Sequence, residues 1–306
     1  MEKRETWIDI IRGIAIYLMV LGHCIQYATP LDYDFGGNIV FRVIYGFHMP
    51  LFMIISGFLF WYSLNKYELL SGIYSKIKGI MIPCASWGLV TYVCDIIWFD
   101  YKDVSLRGYL YYTAFSNWFL WAVFYCSLYG FMTKYVFKNN FLGYLVVLVC
   151  NYIMPDIGNY AGTKRMLPFF ILGMIINRYH LLDRLEKKRM AIIAVLGLGY
   201  CAALYFEMVE LVTGTVGSMF VIMLIYKRKG KGILEKVGQM SICIYLFTGI
   251  VFYFVIKEYL RIPDSYRYLI KTAYVFGLSM VLTALAVGIG KMLQKSKLLS
   301  KLFLGR

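Results

Sequence analysis

Charged residues are scarce in this chain, and acidic residues are the scarcest among them. Only 16% of the 306 residues are charged, and 17 aspartates and glutamates stand against 32 lysines and arginines. Hydrophobic residues make up 60% of the chain, whereas soluble domains are roughly 45–50% apolar. The composition excludes an ordinary soluble domain. Apolar runs of about 20 residues recur along the chain and predict an all-α, polytopic membrane protein.

Clusters of metal-binding and disulfide-forming residues are also missing. The seven cysteines occur singly, in or beside apolar runs, with no CxxC pair and no cysteine–histidine cluster. This pattern argues against a disulfide framework and a zinc site, so no metal is expected. No GxSxG, P-loop or GxGxxG motif occurs in the context that each requires, which leaves hydrolase and nucleotide-motor functions without support.

The apolar runs predict about ten membrane-spanning helices in one integral-membrane domain over residues 1–306, with no separate soluble domain. The lysines and arginines concentrate in alternate loops on the side of the N-terminus. The positive-inside rule therefore predicts that both termini are cytoplasmic, and it explains the net charge of +15 without a nucleic-acid partner. The predicted spans are 10–28, 38–63, 79–99, 117–136, 141–155, 166–180, 190–206, 208–226, 239–256 and 268–292.

Two basic segments outside the spans are predicted to contact membrane lipids. Segment 64–78 is predicted as a short interfacial helix whose lysines lie against anionic headgroups. The tail from Lys291 to Arg306 alternates basic and apolar residues, which indicates anchoring at the membrane surface. Met1–Arg12 contains acidic residues and no clear small-residue cleavage site follows, so the first span is expected to be retained.

Two ionisable residues lie within the first span. Arg12 and His23 are eleven residues apart, so they share one helix face and are separated by about 16 Å along the axis. Ionisable groups at membrane depth are costly and usually mark a functional path. A polar seam that runs from the membrane edge into the protein is therefore predicted. Arg12 either helps to hold a phosphate or is a snorkelling residue paired with Asp9.

A second histidine, His48, stands near the start of the next apolar run. Pro50 is predicted to kink this span, and Ser56 and Gly57 are predicted to permit close helix packing. His23 and His48 are expected at similar depth. A neutral imidazole can take a proton from a hydroxyl near neutral pH and return it, as acyl transfer to an alcohol requires. Alternatively, His48 only bonds a carbonyl that Pro50 has freed.

At the predicted inner face, Lys76 and Lys78 precede Pro83. Basic side chains at this place can bind the phosphates of a nucleotide-like donor through charge-assisted hydrogen bonds. The positive-inside rule alone also accounts for them, so both interpretations stay open.

At the predicted outer face, four charged residues are candidates for contact with an acceptor. Arg42 and Arg165 could bind sugar hydroxyls or a phosphate. Glu207 and Glu210 form a short acidic turn. Two interpretations are open: one of these carboxylates orients an imidazole, or both residues are solvated loop residues.

Several short motifs follow one another along about residues 5–290. The first two spans contain Trp7-Ile-Asp-x-x-Arg-Gly-Ile with Gly22-His23, and Phe47-His-Met-Pro-Leu-Phe with Ser56-Gly-Phe. Downstream follow Lys76-x-Lys78, Asn117-Trp-Phe-Leu, Arg165-x-x-Pro-Phe-Phe-x-x-Gly173 and Gly238-Gln-x-Ser-Ile-x-Ile-Tyr-Leu. This set resembles the membrane acyltransferase-3 family and, within it, the fucose 4-O-acetylase-like branch of polysaccharide O-acetyltransferases.

The resemblance implies ten helices in a bacterial plasma membrane and transfer of an acetyl group from cytoplasmic acetyl-CoA. The acceptor would be an extracytoplasmic glycan or a lipid-linked sugar. The family's catalytic histidine corresponds to His23, and His48 is the second catalytic candidate. Arg12, Lys76 and Lys78 correspond to the donor-binding residues.

One departure from the family pattern is Thr248, which stands where the family often has a histidine after the Ile-Tyr-Leu segment. Any role of that histidine is absent in this chain, which leaves open a regulatory module without activity. An exporter of polysaccharide or its precursor is the alternative function, with the polar residues lining a conduit. Direct transfer, an acyl-histidine intermediate and longer acyl groups are all compatible with the sequence.

Overall fold

The structure is a computed structural model that describes residues 5–29, 37–99, 104–229, 232–263 and 265–306. Regular structure in these ranges is helical throughout, which confirms the all-α prediction for them. The α-helices are α1 (Thr6–Ala28), α2 (Ile39–Tyr45), α3 (His48–Lys66), α4 (Leu69–Lys76), α5 (Ile82–Phe99), α6 (Leu106–Phe115), α7 (Trp118–Tyr135), α8 (Phe141–Ile153), α9 (Tyr160–Arg178), α10 (Leu181–Glu186), α11 (Arg189–Tyr205), α12 (Glu210–Ile225), α13 (Ile233–Gln239), α14 (Ser241–Val251), α15 (Lys257–Tyr259), α16 (Tyr268–Gln294) and α17 (Lys297–Leu299). The first, second and third π-helical turns are Ile77–Met81, Phe252–Ile256 and Ser300–Leu304.

Five helical runs in the described part of the chain are long and apolar enough to cross a membrane. Several such runs in one chain indicate a multi-pass membrane protein. Each of the ten predicted spans overlaps a helix, whereas ten crossings and cytoplasmic termini stay predictions. The five runs are Thr6–Ala28, Ile39–Lys66, Leu69–Trp98, Ser241–Tyr259 and Tyr268–Gln294.

The chain divides into two compact units. The first unit comprises Met1–Phe52 and Leu185–Met292, and the second comprises Met53–Arg184 and Leu293–Arg306. A single integral-membrane domain over 1–306 stays a prediction.

In the first unit, two glycines bring α1 against α13. A Cβ added at Gly13 would lie 2.0 Å from the carbonyl oxygen of Leu234, and one added at Gly238 would lie 1.8 Å from that of Asp9. Only residues without a side chain permit this distance between helix backbones. In lipid, where burial of apolar surface gives little drive for helix association, such close van der Waals packing is a main source of stability.

A second glycine pair joins α3 and α9 in the second unit. A Cβ at Gly57 would lie 1.9 Å from the carbonyl oxygen of Phe170, and one at Gly173 would lie 2.0 Å from that of Ile54. The predicted close packing at Gly57 is therefore confirmed. The partner of this glycine is the Pro-Phe-Phe segment of the later motif, which the sequence did not identify.

The second predicted span is interrupted before Pro50 and not at it. Helix α2 ends at Tyr45, residues Gly46 and Phe47 form a turn, and α3 begins at His48. Pro50 thus lies in the first turn of α3, where a missing N–H removes no intrahelical bond. The interruption predicted from Pro50 is therefore present, but it is a turn at Gly46 and Phe47 that separates two helices, and not a bend within one continuous helix.

The structure also bears on two surface predictions. Segment 64–78 does not form a separate interfacial helix, because α4, the first π-helical turn and α5 make one apolar run over Leu69–Trp98. The tail packs on α5, and its anchoring at a membrane surface stays a prediction. In the second unit the Phe303 carbonyl accepts a hydrogen bond from the Trp87 indole of α5 at 3.1 Å.

The glycine contact between α1 and α13 predicts a selective loss of stability. Gly238→Ala should lower the free energy of unfolding by about 1–3 kcal/mol, because the methyl group forces the two backbones apart. Gly249→Ala is the matched control, since a Cβ there has no neighbour within 4 Å. Thermal unfolding in detergent compares them, and equal midpoints for the two variants would contradict the packing described.

Candidate active site

Helix α1 presents Arg12 and His23 on one face, as predicted, but the face between them is not polar. Ile16 and Met19 occupy the intervening turns of that face, and only 1% and 3% of their surfaces are exposed. The predicted continuous polar seam is therefore wrong. Two polar positions lie at the two ends of a packed apolar stretch, because the positions four and seven residues after Arg12 carry apolar side chains.

His23 is half-buried and takes part in a triangle of polar atoms. Its Nδ1 lies 3.1 Å from Oε1 of Gln26 and 3.2 Å from the hydroxyl of Tyr45 on α2. The Tyr45 hydroxyl donates to the same Gln26 oxygen at 3.4 Å. Because an amide oxygen only accepts hydrogen bonds, Nδ1 of neutral His23 carries the proton. Nε2 keeps its lone pair, which is the atom that a general base uses.

Gly22 is the reason why Tyr45 reaches this position. A Cβ at Gly22 would lie 2.5 Å from a ring carbon of Tyr45. Gly22 thus admits an aromatic side chain beside His23. Gln26 and Tyr45 were not identified from the sequence. Gln26 carried a signal, since it follows His23 by one helical turn.

Aromatic rings surround the His23 imidazole. The ring centroids of Tyr27, Tyr45 and Phe252 lie 5.7, 6.2 and 5.3 Å from it, respectively. Phe252 begins the second π-helical turn, and such turns are frequent at functional sites. Low-polarity walls strengthen the electrostatic interactions of groups that they enclose.

His48 begins α3 and is 2% exposed. Its Nδ1 donates a hydrogen bond to the carbonyl oxygen of Ile44 at 2.9 Å, and its ring centroid lies 4.6 Å from that of Tyr45. The structural role considered for His48 is thus present. The accepting carbonyl is that of Ile44, at the end of α2, and not the one at Gly46 that Pro50 would leave without a donor. A catalytic role of His48 stays a prediction.

Arg12 is held by an acid on its own helix and by a hydroxyl from a distant part of the sequence. Its Nη2 donates to Oγ of Ser241 at 2.7 Å, and its Nη1 lies 3.8 Å from Oδ1 of Asp9. Gln239 donates to Asp9 at 3.4 Å and to Glu235 at 3.1 Å. The Arg12 side chain is 27% exposed, against 4% for Asp9. The expected Asp9 pair forms, and the Arg12 side chain stays partly exposed.

Arg42 and Glu207 contact each other. Nη2 of Arg42 lies 3.2 Å from Oε1 of Glu207 and donates to the Leu204 carbonyl at 3.1 Å. Their side chains are 39% and 78% exposed, so the pair adds little stability. Within the described residues, Glu207 therefore pairs with a guanidinium and not with an imidazole. Glu210 is the first residue of α12 in the same unit.

The other candidate binding residues belong to the second unit. The Lys76 ammonium lies 5.0 Å from the ring centroid of Phe60, and Lys78 is half-buried in the first π-helical turn. Arg165 is exposed on α9. The roles predicted for these three residues in donor and acceptor binding stay predictions.

Thr248 does not replace the histidine that is common at its position in the resembling family. It is fully buried, and its hydroxyl donates to the Ile244 carbonyl at 2.6 Å on its own helix. A hydroxyl satisfied in this way supplies no base. In the ranges that the structure describes, no group of three histidine, cysteine, aspartate or glutamate side chains is placed to hold a metal ion.

Comparison with known proteins gives one family and two curated relatives. A family model described as an acyltransferase domain matches residues 5–289. Nodulation protein NolL of Sinorhizobium fredii is 29% identical over 182 residues, which cover 57% of this chain and 49% of that protein. Nodulation protein NolL of Mesorhizobium japonicum is 30% identical over 133 residues, with coverages of 40% and 34%. The chain thus matches half or less of each relative's length. No solved structure gives a significant match.

The burial of the three histidines predicts an order of chemical reactivity. Diethyl pyrocarbonate should modify His180 fastest, because its side chain is 77% exposed. His23 should react more slowly and His48 not at all in the folded protein. Peptide mass spectrometry over a time course measures the three rates, with denatured protein as the reference in which all three react. Equal rates at His23 and His48 would contradict the geometry.

Proposed function

Because this chain belongs to the acyltransferase-3 family, we propose that it transfers an acetyl group from cytoplasmic acetyl-CoA to a hydroxyl of an extracytoplasmic glycan or lipid-linked sugar. Its place would be a bacterial plasma membrane. The observation that carries the proposal is the state of His23. Gln26 and Tyr45 engage Nδ1, which leaves Nε2 as the acceptor atom of a half-buried imidazole. Acyl transfer to an alcohol needs a base of this kind.

In the proposed reaction, Nε2 of His23 takes the proton of the acceptor hydroxyl. The oxygen forms a bond to the thioester carbonyl carbon, and the bond between that carbon and sulfur breaks. The imidazolium then returns its proton to the departing thiolate, so that the products are the acetyl ester and CoA. In the covalent variant, Nε2 itself attacks the thioester carbon and the carbon–sulfur bond breaks to release CoA as the thiolate. The sugar hydroxyl then attacks the acyl-imidazolium, the bond between carbon and Nε2 breaks, and the hydroxyl proton goes to the thiolate.

Donor binding is proposed for the other end of α1. Arg12 is a partly exposed guanidinium, and a guanidinium can contact a phosphate through charge-assisted hydrogen bonds. Arg12 and His23 are about 16 Å apart along the helix axis. CoA carries its thioester on a long, narrow pantetheine arm, so its anionic part and its reacting part can be bound at separate places. Lys76 and Lys78 are proposed to bind further donor phosphates.

Acceptor binding is proposed for the end of α2. Arg42 precedes Tyr45 by three residues, and residues at this spacing lie on the same side of a helix. The side chain that contacts His23 and a partly exposed guanidinium thus come from one short helix. Glu207 offers a carboxylate to sugar hydroxyls beside Arg42. Arg165 and Glu210 are the remaining acceptor candidates.

His23→Ala should abolish acetylation of the glycan in cells while the protein still accumulates in the membrane. His180→Ala is the matched control, because His180 is a highly exposed histidine outside the motifs. Tyr45→Phe should lower kcat by about tenfold, since it removes one hydroxyl that orients the imidazole. The measurement is ester content of the purified glycan. Unchanged acetylation in His23→Ala would refute the assignment.

Acetyl-CoA should raise the unfolding temperature of the detergent-purified protein. A ligand at 100 times its Kd stabilises the native state by about 2.7 kcal/mol. Arg12→Ala should remove most of the shift, and Ser241→Ala should reduce it, because Ser241 holds the guanidinium at 2.7 Å. Gly249→Ala serves as the control that keeps the shift. Absence of any shift at millimolar acetyl-CoA in folded protein would favour the polysaccharide exporter instead.

A further inference from the structure

The helical run that carries Lys76 and Lys78 widens into the first π-helical turn just before Pro83. Pro83 lacks an N–H, and in an α-helix its ring would clash with the carbonyl four residues earlier, at Gly79. The chain instead forms a wider turn, in which the Ile82 N–H donates to the Ile77 carbonyl five residues back. Lys78 is the second residue of this turn.

The tail of the chain packs on this turn within the second unit. Gly305 follows the third π-helical turn with φ +69°, and a Cβ there would lie 2.6 Å from the carbonyl oxygen of Gly79. Further along α5, the Trp87 indole donates to the Phe303 carbonyl at 3.1 Å, and the ring centroids of Trp87 and Phe303 are 5.4 Å apart. Leu304 is 4% exposed. The tail therefore has a fixed seat on the π-helical turn and on α5.

Lys78 differs from its neighbour Lys76. The Lys76 ammonium lies over the Phe60 ring. Lys78 is half-buried, and within the described residues its ammonium has no hydrogen bond, ion pair or ring contact. Lys78 thus offers a cation that has no partner within the described residues and that an anionic ligand can pair with. The same turn thus combines an uncompensated cation with support from the tail.

We propose that the tail segment Ser300–Gly305 is a positioning element of the donor site, which fixes the first π-helical turn so that Lys78 binds a phosphate of the acyl donor. The inference rests on the proposed function, since acetyl-CoA is the anion considered. Support from outside matters because a π-helical turn contains one residue more than an α-helical turn. If that extra residue shifted by one position, the side chains between would rotate by about 100° around the axis.

Equilibrium binding of acetyl-CoA to the purified full chain tests the inference. Lys78→Ala should weaken binding by about tenfold or more, the effect of one hydrogen bond between charged groups. Phe303→Ala and Gly305→Val should weaken it to a similar degree. Leu298→Ala is the matched control, because this tail residue is 64% exposed and should leave the affinity unchanged. If Gly305→Val does not fold, Phe303→Ala still tests the inference. Size-exclusion chromatography shows whether each of these two variants is folded.

A double-mutant cycle separates positioning from general destabilisation. If the tail acts through Lys78, Phe303→Ala should cause no further loss of affinity in the Lys78→Ala background. Equal losses in both backgrounds, or an unchanged affinity in Lys78→Ala, would overturn the inference while leaving the acetyltransferase proposal intact. If the wild-type protein does not bind acetyl-CoA, both the inference and the proposed function fail.

Discussion

Close contact between helix backbones at glycine is the constraint on which the first unit depends. Gly13 and Gly238 let α1 and α13 approach so closely that no side chain fits between them. This contact fixes the register of two segments more than two hundred residues apart in sequence. Ser241 and Gln239, which follow at once, thereby reach Arg12 and Asp9. The chemistry of the Arg12 end is thus a consequence of packing, since lipid offers little other drive for helices to associate.

Close packing at a glycine also shapes the His23 end of α1. Gly22 admits the ring of Tyr45, and the hydroxyl of that ring meets Nδ1. The break between α2 and α3 serves the same arrangement, because it ends α2 at Tyr45 and frees the Ile44 carbonyl for His48. Both imidazoles have Nδ1 in a hydrogen bond, but His48 is buried whereas His23 is partly exposed. Environment, and not residue type, distinguishes the two histidines.

Two of the π-helical turns contain or contact residues to which the proposed function assigns a role. The turn at Phe252 supplies a ring to the surroundings of His23, and the turn at Ile77–Met81 contains Lys78. In the latter case proline explains the widening, and the tail contact explains how the wider turn is held. A segment with the composition of a surface anchor thereby becomes part of a packed unit.

The sequence by itself determined the helical membrane class, because apolar runs of sufficient length have few other stable forms in lipid. It also determined that Arg12 and His23 share a face, since helical periodicity is local. Tertiary structure alone decided which groups meet them. Ser241, Gln26 and Tyr45 are ordinary polar residues in the sequence, and Ile16 and Met19 interrupt the expected polar seam. Pro50 stands in the first turn of α3, and Glu207 pairs with Arg42. The contacts of Ser241, Tyr45 and Glu207 depend on segments remote in the chain, which a local pattern does not encode, whereas Gln26, Ile16 and Met19 are local to α1.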